Sequence, residues 1–457
     1  MGKKNDIDLL EAALEEIMKK AGEFGLDFYD IYFEICPAEI IYTFGAYGMP
    51  SRFSHWSFGK AYHRLKTQYD YNLNRIYELV INSDPCYAFL LEGNTPVQNM
   101  LVMAHVVGHC DFFKNNVYFK GTQRHMVESM AAAASRFSSY EFKYGREKVE
   151  AFIDAALAIQ EHIEPRRLPR ENQRKAPAQE LCRRRKNTPY DDLWELDGGS
   201  RCSCPDCRLE ATGRRHPPEP EKDVLLFILQ NSPDLEDWQR DVLTVIRQET
   251  LYFWPQMETK IMNEGWATYW HTRIMREIDL SPADAVEYAR MHAGIIERFK
   301  THVNPYALGL RIFESIEKKE GRPKIFEVRS SENDVSFIRN YLTREITEEL
   351  DLYLYKKAGL DWKVVEKDWE KVRDGMVANL TNCGHPYIVV LDGDFNKRGE
   401  LYLKHIYEGV ELDIRYTEKT LPHVYTLWGR PVHLETSLNH NPVLFSCCGD
   451  KVSRKFL

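Results

Sequence analysis

Residues 96–115 read PVQNMLVMAHVVGHCDFFKN, an otherwise apolar run with two histidines set four positions apart. Thr95 and Pro96 supply an N-cap and a first-turn proline, so a helix is expected over about 96–115. On a helix His105 and His109 lie one above the other on a single face, the geometry in which a helix offers two ligands to a metal ion. The next position matters as much. Helices of the HExxH zinc-protease type carry their general base directly after the first histidine, and here that residue is Val106. The pattern is that of a metal site without its usual base.

A second stretch, METKIMNEGWATYWH at 257–271, supplies the complementary chemistry. On a helix Glu264 and His271 are about two turns apart and point the same way, with Thr268 between them. His105, His109 and Glu264 together form a set of two imidazoles and one carboxylate with an open position, which suits zinc and the activation of water. Glu264 and His271 are the candidate catalytic groups, His271 standing either behind the ligands or as a fourth ligand. The spacing is similar to that of gluzincin-type zinc peptidases, in one branch of which the third ligand sits in an EGWA-like segment, as in EGWATY at 264–269. A missing base weakens catalysis by roughly 10²–10⁴-fold. Glu249, Glu258, Asp111 or His271 could replace it, and spacing selects none of them.

The 457 residues, 43% of them apolar, suffice for two or three folded domains. A net charge of −8 argues against general binding to nucleic acid or anionic membranes. There is no run of about 18 apolar residues, and the opening MGKKNDIDLLEAALEEIMKKAGEFG reads as an amphipathic helix carrying acids rather than a signal peptide, so a soluble, intracellular protein is expected. Ten cysteines, three packed into CSCPDC, fit a reducing compartment. Cys202, Cys204 and Cys207 are spaced to wrap one tetrahedral ion, with Cys182 or His216 as fourth ligand; this would be a second, structural zinc. Between Pro165 and Lys186 nine Lys/Arg face two Glu, so the stretch reads as a solvated loop more readily than as a nucleic-acid contact.

The expected fold class is α+β, mainly α: a helical zincin-like core with a small β-containing C-terminal domain. Its segments are 1–164, with the HxxxH helix; 165–222, a basic, Cys-containing insertion or linker; 223–380, a helical segment completing the core; and 381–457, the β-rich domain. Short strands are expected in IYELVINSDPCYAFLLEGN, helical patterning over about 124–163, a helix beginning near Pro255, and more helices to about 356. HPYIVVLDGDF, GELYLKHIY, VELDIRY and GRPVHLETSL alternate like strands. Asp392 and Asp394 fit turn chemistry, Cys383, Cys447 and Cys448 buried thiols, and Gly309 either plain packing or a close helix approach. The chain has no Walker A, Rossmann GxGxxG or GxSxG motif, which leaves nucleotide and serine-hydrolase readings without a basis.

GMPSRFSHWSFGKAY (48–62), INSDPCYAFLLEGN (81–94), AHVVGHCDFFKNN (104–116), PQMETKIMNEGWATYWH (255–271), NPYALGLRIFE (304–314) and LWGRPVHLET (427–436) resemble the SpoVR family, the stage V sporulation protein R-like proteins. The resemblance spans nearly the whole chain except the 165–222 insertion, so it implies nothing for the cysteine cluster. It implies a cytoplasmic protein of the mother cell acting in assembly of the spore cortex peptidoglycan, or in a related stress pathway. It also implies a PrkA-like serine kinase and a von Willebrand A-type protein as partners. It supplies no reaction, and a non-catalytic adaptor working with those partners is the rival expectation.

Overall fold

The computed structural model describes residues 2–48, 53–70, 78–166, 216–298, 303–358 and 361–457. In chain order their main elements are α1 (Gly2–Glu23), β1 (Ile31–Cys36), α2 (Ala38–Tyr47), α3 (Trp56–Asp70), β2 (Glu78–Ile81), β3 (Cys86–Leu91), α4 (Pro96–Asn115), α5 (Met126–Tyr144) and α6 (Arg146–Leu157). There follow α7 (Val224–Asn231), α8 (Asp237–Glu258), α9 (Lys260–Glu277), α10 (Pro282–Ile295), α11 (Pro305–Glu320), α12 (Arg322–Ser331), α13 (Asp334–Tyr341) and α14 (Arg344–Glu349). A hairpin of β4 (Leu354–Ala358) and β5 (Asp361–Glu366) leads to α15 (Trp369–Leu380), and the chain ends with β6 (Ile388–Phe395), β7 (Glu400–His405), α16 (Ile414–Trp428), β8 (Val432–Leu438), β9 (Asn441–Cys448) and β10 (Lys451–Phe456). The fold is mainly α, with a β-containing C-terminal region. It divides into two units: Met1–Glu150 with Gln248–His385, and Ala151–Arg247 with Pro386–Leu457.

In the first unit three helices form the centre. α4 starts with a full capping box, in which the Thr95 hydroxyl accepts from Gln98 N and the Gln98 side chain accepts from Thr95 N. It is buried on every side, as expected of a helix that is apolar all round. α9 packs against α4 on one side and α11 on the other, and glycines set both distances. A Cβ on Gly108, inside HVVGH, would lie 2.7 Å from the Ala267 Cα. One on Gly265 would fall onto the Gly309 backbone, and one on Gly309 onto Ile261 O. Of the two readings of Gly309 the structure shows the close helix approach. Trp266, Trp270, Phe112 and Phe313 fill the rest of this core. The small sheet runs β1-β3-β2, with β1 parallel and β2 antiparallel to β3.

The sequence misplaced the start of α9. Pro255 lies inside α8, and the break comes at Thr259, whose hydroxyl bonds back to Pro255 O at 2.6 Å. Asp334, from the start of α13, then caps α9 by accepting from Ile261 N and Met262 N at 2.8 and 2.9 Å. Burial pushes the Asp334 carboxyl up to about 7. The helical patterning over 124–163 is two helices, α5 and α6, parted at Gly145, whose φ is +91°. The β4–β5 hairpin was not expected.

In the second unit the sheet order is β10-β9-β8-β7-β6, antiparallel except for β7 with β8, which α16 connects. Leu434, Phe445 and Leu403 on one face pack with Leu421 and Val424 of α16. VELDIRY is not a strand. The Asp413 carboxylate accepts from Arg415 N and Tyr416 N and so begins α16 inside that stretch. Asp392 and Asp394 make the expected turn contacts, accepting from Asp394 N and Gly399 N. Of the three thiols expected to be buried, Cys447 is buried, Cys383 is half-buried and Cys448 is exposed, since it falls on the outward side at the end of β9. No described helix is long and apolar enough to cross a membrane.

Candidate metal centre

α4 and α9 bring His105, His109 and Glu264 together, with one ligand atom from each inside a 4.8 Å cluster. Glu264 Oε2 lies 3.5 Å from His105 Nε2 and 3.5 Å from His109 Nε2. Those separations are long for hydrogen bonds, and the buried oxygen has no hydrogen-bond partner. They match something else. Ligands held about 2.0–2.1 Å from a tetrahedral zinc stand roughly 3.4 Å apart, so the two glutamate–histidine separations have the length of a tetrahedral edge, and one ligand atom from each of the three residues lies within 4.8 Å of the others.

The outer partners fix the ring orientations. His109 Nδ1 lies 2.9 Å from Asn263 Oδ1, which can only accept, so Nδ1 carries the proton and Nε2 presents its lone pair to Glu264's side. His105 Nδ1 lies 3.0 Å from His271 Nδ1, and His271 Nε2 lies 3.1 Å from His292 Nδ1. If His105 likewise turns a bare Nε2 inward, each imidazole in this row donates to the next. The Tyr306 ring stacks on His105 at 5.9 Å. Burial, then the neighbouring His105, holds His109 down to about 4, and burial followed by His105 and His292 holds His271 well below its usual value. Buried His109 and His271 are therefore neutral near pH 7, and neutral is the form in which an imidazole ligates. Burial opposes ionisation of Glu264, yet contacts with His105 and His109 keep its carboxyl below its ordinary range.

The geometry puts His271 behind His105, with both nitrogens engaged by other histidines. The substitutes for the missing base are placed elsewhere. Val106 is wholly buried in the apolar core. Asp111 is tied to Arg329 Nη1 at 3.1 Å, Trp266 Nε1 at 2.7 Å and Asp27 N at 2.8 Å. Glu249 is half-buried, its Oε2 atom buried without a hydrogen-bond partner and no charged group acting on it, and Glu258 acts on Asp334 at the start of α9. Cys182, Cys202, Cys204 and Cys207 lie outside the described residues; His216 bonds through Nε2 to Asn231 Oδ1 at 2.9 Å. Sequence reading missed Asn263, His292 and Tyr306. Asn263 had a signal, since it adjoins Glu264 in NEGWA, whereas His292 had none.

Fold and site together define a mainly helical protein in which two histidines and a carboxylate converge, buried, between two central helices. The chain belongs to the SpoVR family: the family described as SpoVR like protein matches residues 4–385, and the SpoVR-like C-terminal domain matches 386–439. Among curated proteins it is similar to "Uncharacterized protein YcgB" of Escherichia coli (strain K12), with 29% identity over 477 residues covering 94% of this chain and 92% of that protein. No solved structure matches it significantly.

For the zinc binding proposed below, Asn263→Ala is expected to cost about 10–100-fold in affinity, because His109 loses the acceptor that fixes its tautomer. Competition with a chromophoric chelator measures it. An unchanged affinity would show that the outer partner plays no part.

Proposed function

We propose that this is a cytoplasmic, zinc-dependent hydrolase acting in sporulation, on a peptide or cell-wall precursor used in forming the spore cortex, with a zincin-like arrangement of ligands. The observation that carries the reading is the convergence of His105 Nε2, His109 Nε2 and the partnerless Glu264 Oε2, with His109's Nδ1 already bonded to Asn263. When bound, the ion would supply Lewis-acid activation of water. The chain's own part is to hold His109 neutral and Glu264 ionised beside His105, to support His105 through His271 and His292, and to exclude bulk water through the core of α4 and α9. Family membership supports the sporulation setting.

One observation favours a second, non-catalytic reading. Val106 occupies the position of the usual base, and Asp111, which could replace it, is committed to Arg329 and Trp266. On that reading the same centre is structural, and the protein is an adaptor for a PrkA-like kinase and a von Willebrand A-type protein.

Metal content of untagged protein by plasma mass spectrometry tests the proposal. Wild type is expected to carry one zinc equivalent that His105→Ala/His109→Ala loses, apart from any equivalent lost by Cys202→Ser/Cys204→Ser. If the histidine pair changes nothing, the centre holds no metal and the hydrolase reading falls. If zinc is lost but sporulation proceeds normally, the adaptor reading takes its place.

A further inference from the structure

The second unit contains a cavity that its own side chains leave unfilled. It measures about 260 Å³ and lies where the sheet meets α16 and the residues that follow α6. Its floor is apolar and buried: Ile159, Leu403, Leu421, Val424 and Leu434. An apolar cavity of about 150 Å³ already admits benzene, so this one has room for a ring with a short chain, on the order of ten heavy atoms.

The mouth has a different character. Its charged lining side chains are Glu411 and Asp413, both exposed acids, and no lysine or arginine lines the cavity. Glu411 accepts one bond, from Asn439 N, and Asp413 accepts two from the start of α16, so each keeps spare acceptor capacity; the two acids also line an adjoining surface pocket with Arg415. Tyr416, 74% exposed, stands at the same rim and offers an amphipathic ring where an apolar group would enter.

We propose that this cavity binds a small cationic ligand: an aromatic or branched aliphatic body seated against Leu403, Leu421 and Leu434, with a protonated amine held between Glu411 and Asp413. The same two carboxylates disfavour a ligand whose polar end is a carboxylate or phosphate. The site uses no residue of the histidine centre and stands whether or not that centre holds zinc.

The test uses the full chain and two probes with one carbon skeleton, 4-phenylbutylamine and 4-phenylbutyrate, titrated at low salt by calorimetry or saturation-transfer NMR. The amine is expected to bind with a dissociation constant at or below about 1 mM, the range open to a ligand of this size. It should bind about tenfold more tightly than the acid, a preference that weakens as salt is added. Glu411→Gln should reduce the amine's affinity several-fold and leave the acid's unchanged. Thr420→Trp, at a half-exposed lining position of α16, should block both probes while the far-UV circular dichroism stays that of the parent. No saturable binding of the amine, equal binding of the two probes, or binding that survives Thr420→Trp would each overturn the proposal.

Discussion

Gly309→Ala is expected to destabilise the protein by roughly 3 kcal/mol, at the upper end of what overpacking costs, and to weaken the zinc binding proposed for the histidine centre. The new methyl would fall onto Ile261 O and the Gly265 backbone, and neither can rotate aside as a side chain could. α9 would have to move away from α11. Glu264 is the residue before Gly265, so any such movement shifts its carboxylate relative to the two histidines of α4. The better helix propensity of alanine offsets only about 1 kcal/mol. Gly265→Ala should behave alike and Gly108→Ala more mildly, because there the nearest contact is 2.7 Å to the Ala267 Cα and the overlap to be relieved is smaller. Gly22→Ala is the control, since nothing lies within 4 Å of a Cβ there. Urea midpoints and zinc affinities of the four variants decide the matter. A Gly309→Ala protein with an unchanged midpoint would show that α9 and α11 do not depend on this contact.

That crossing also explains how much of the molecule could be read from its sequence. α4 was legible because everything that starts it is local: Thr95, Pro96 and Gln98 in one turn. The HxxxH pair followed from helical geometry alone, and Glu264 from the EGWATY stretch. Gly108, midway along HVVGH, is the residue that lets α9 approach closely enough for Glu264 to reach both histidines, but a glycine in a helical run does not name its neighbour. His292 is a partner across 21 residues, and Asn263 meets His109 across 154; such pairings leave no periodicity to detect. The two misread segments failed for a different reason. VELDIRY alternates as a strand does, yet Asp413 competes as a helix cap and prevails. A helix was expected to begin near Pro255, but α8 runs through that proline to Glu258 and the next helix starts from Thr259.

Glu249→Gln is expected to stabilise the protein by roughly 2–3 kcal/mol at pH 7, an unusual sign for replacing a half-buried residue with one buried carboxylate oxygen. Burial pushes the Glu249 carboxyl up to about 8, and its Oε2 has no hydrogen-bond partner. A folded value above the unfolded one means that the native chain binds the extra proton. Below about pH 4 the group is protonated in both states and has no effect on stability. As pH rises, the unfolded chain ionises freely while the native chain must keep its proton, so stability falls by up to about 1.4 kcal/mol per unit until pH 8 and then levels off. Glutamine has the same shape and no charge to desolvate, so the difference between variant and parent should be absent near pH 4, grow through pH 7 and plateau above 8. The same reasoning does not extend to Asp111, pushed up to about 6, or to Asp334. Arg329 and Trp266 depend on the first, and the opening N–H groups of α9 on the second, so removing either charge leaves buried partners unmatched. Denaturant midpoints at pH 5, 7 and 8.5 separate these cases. If Glu249→Gln loses stability at pH 8.5, its carboxylate is ionised and paired in the native chain; if it gains stability there, the group is held as the neutral acid by burial alone.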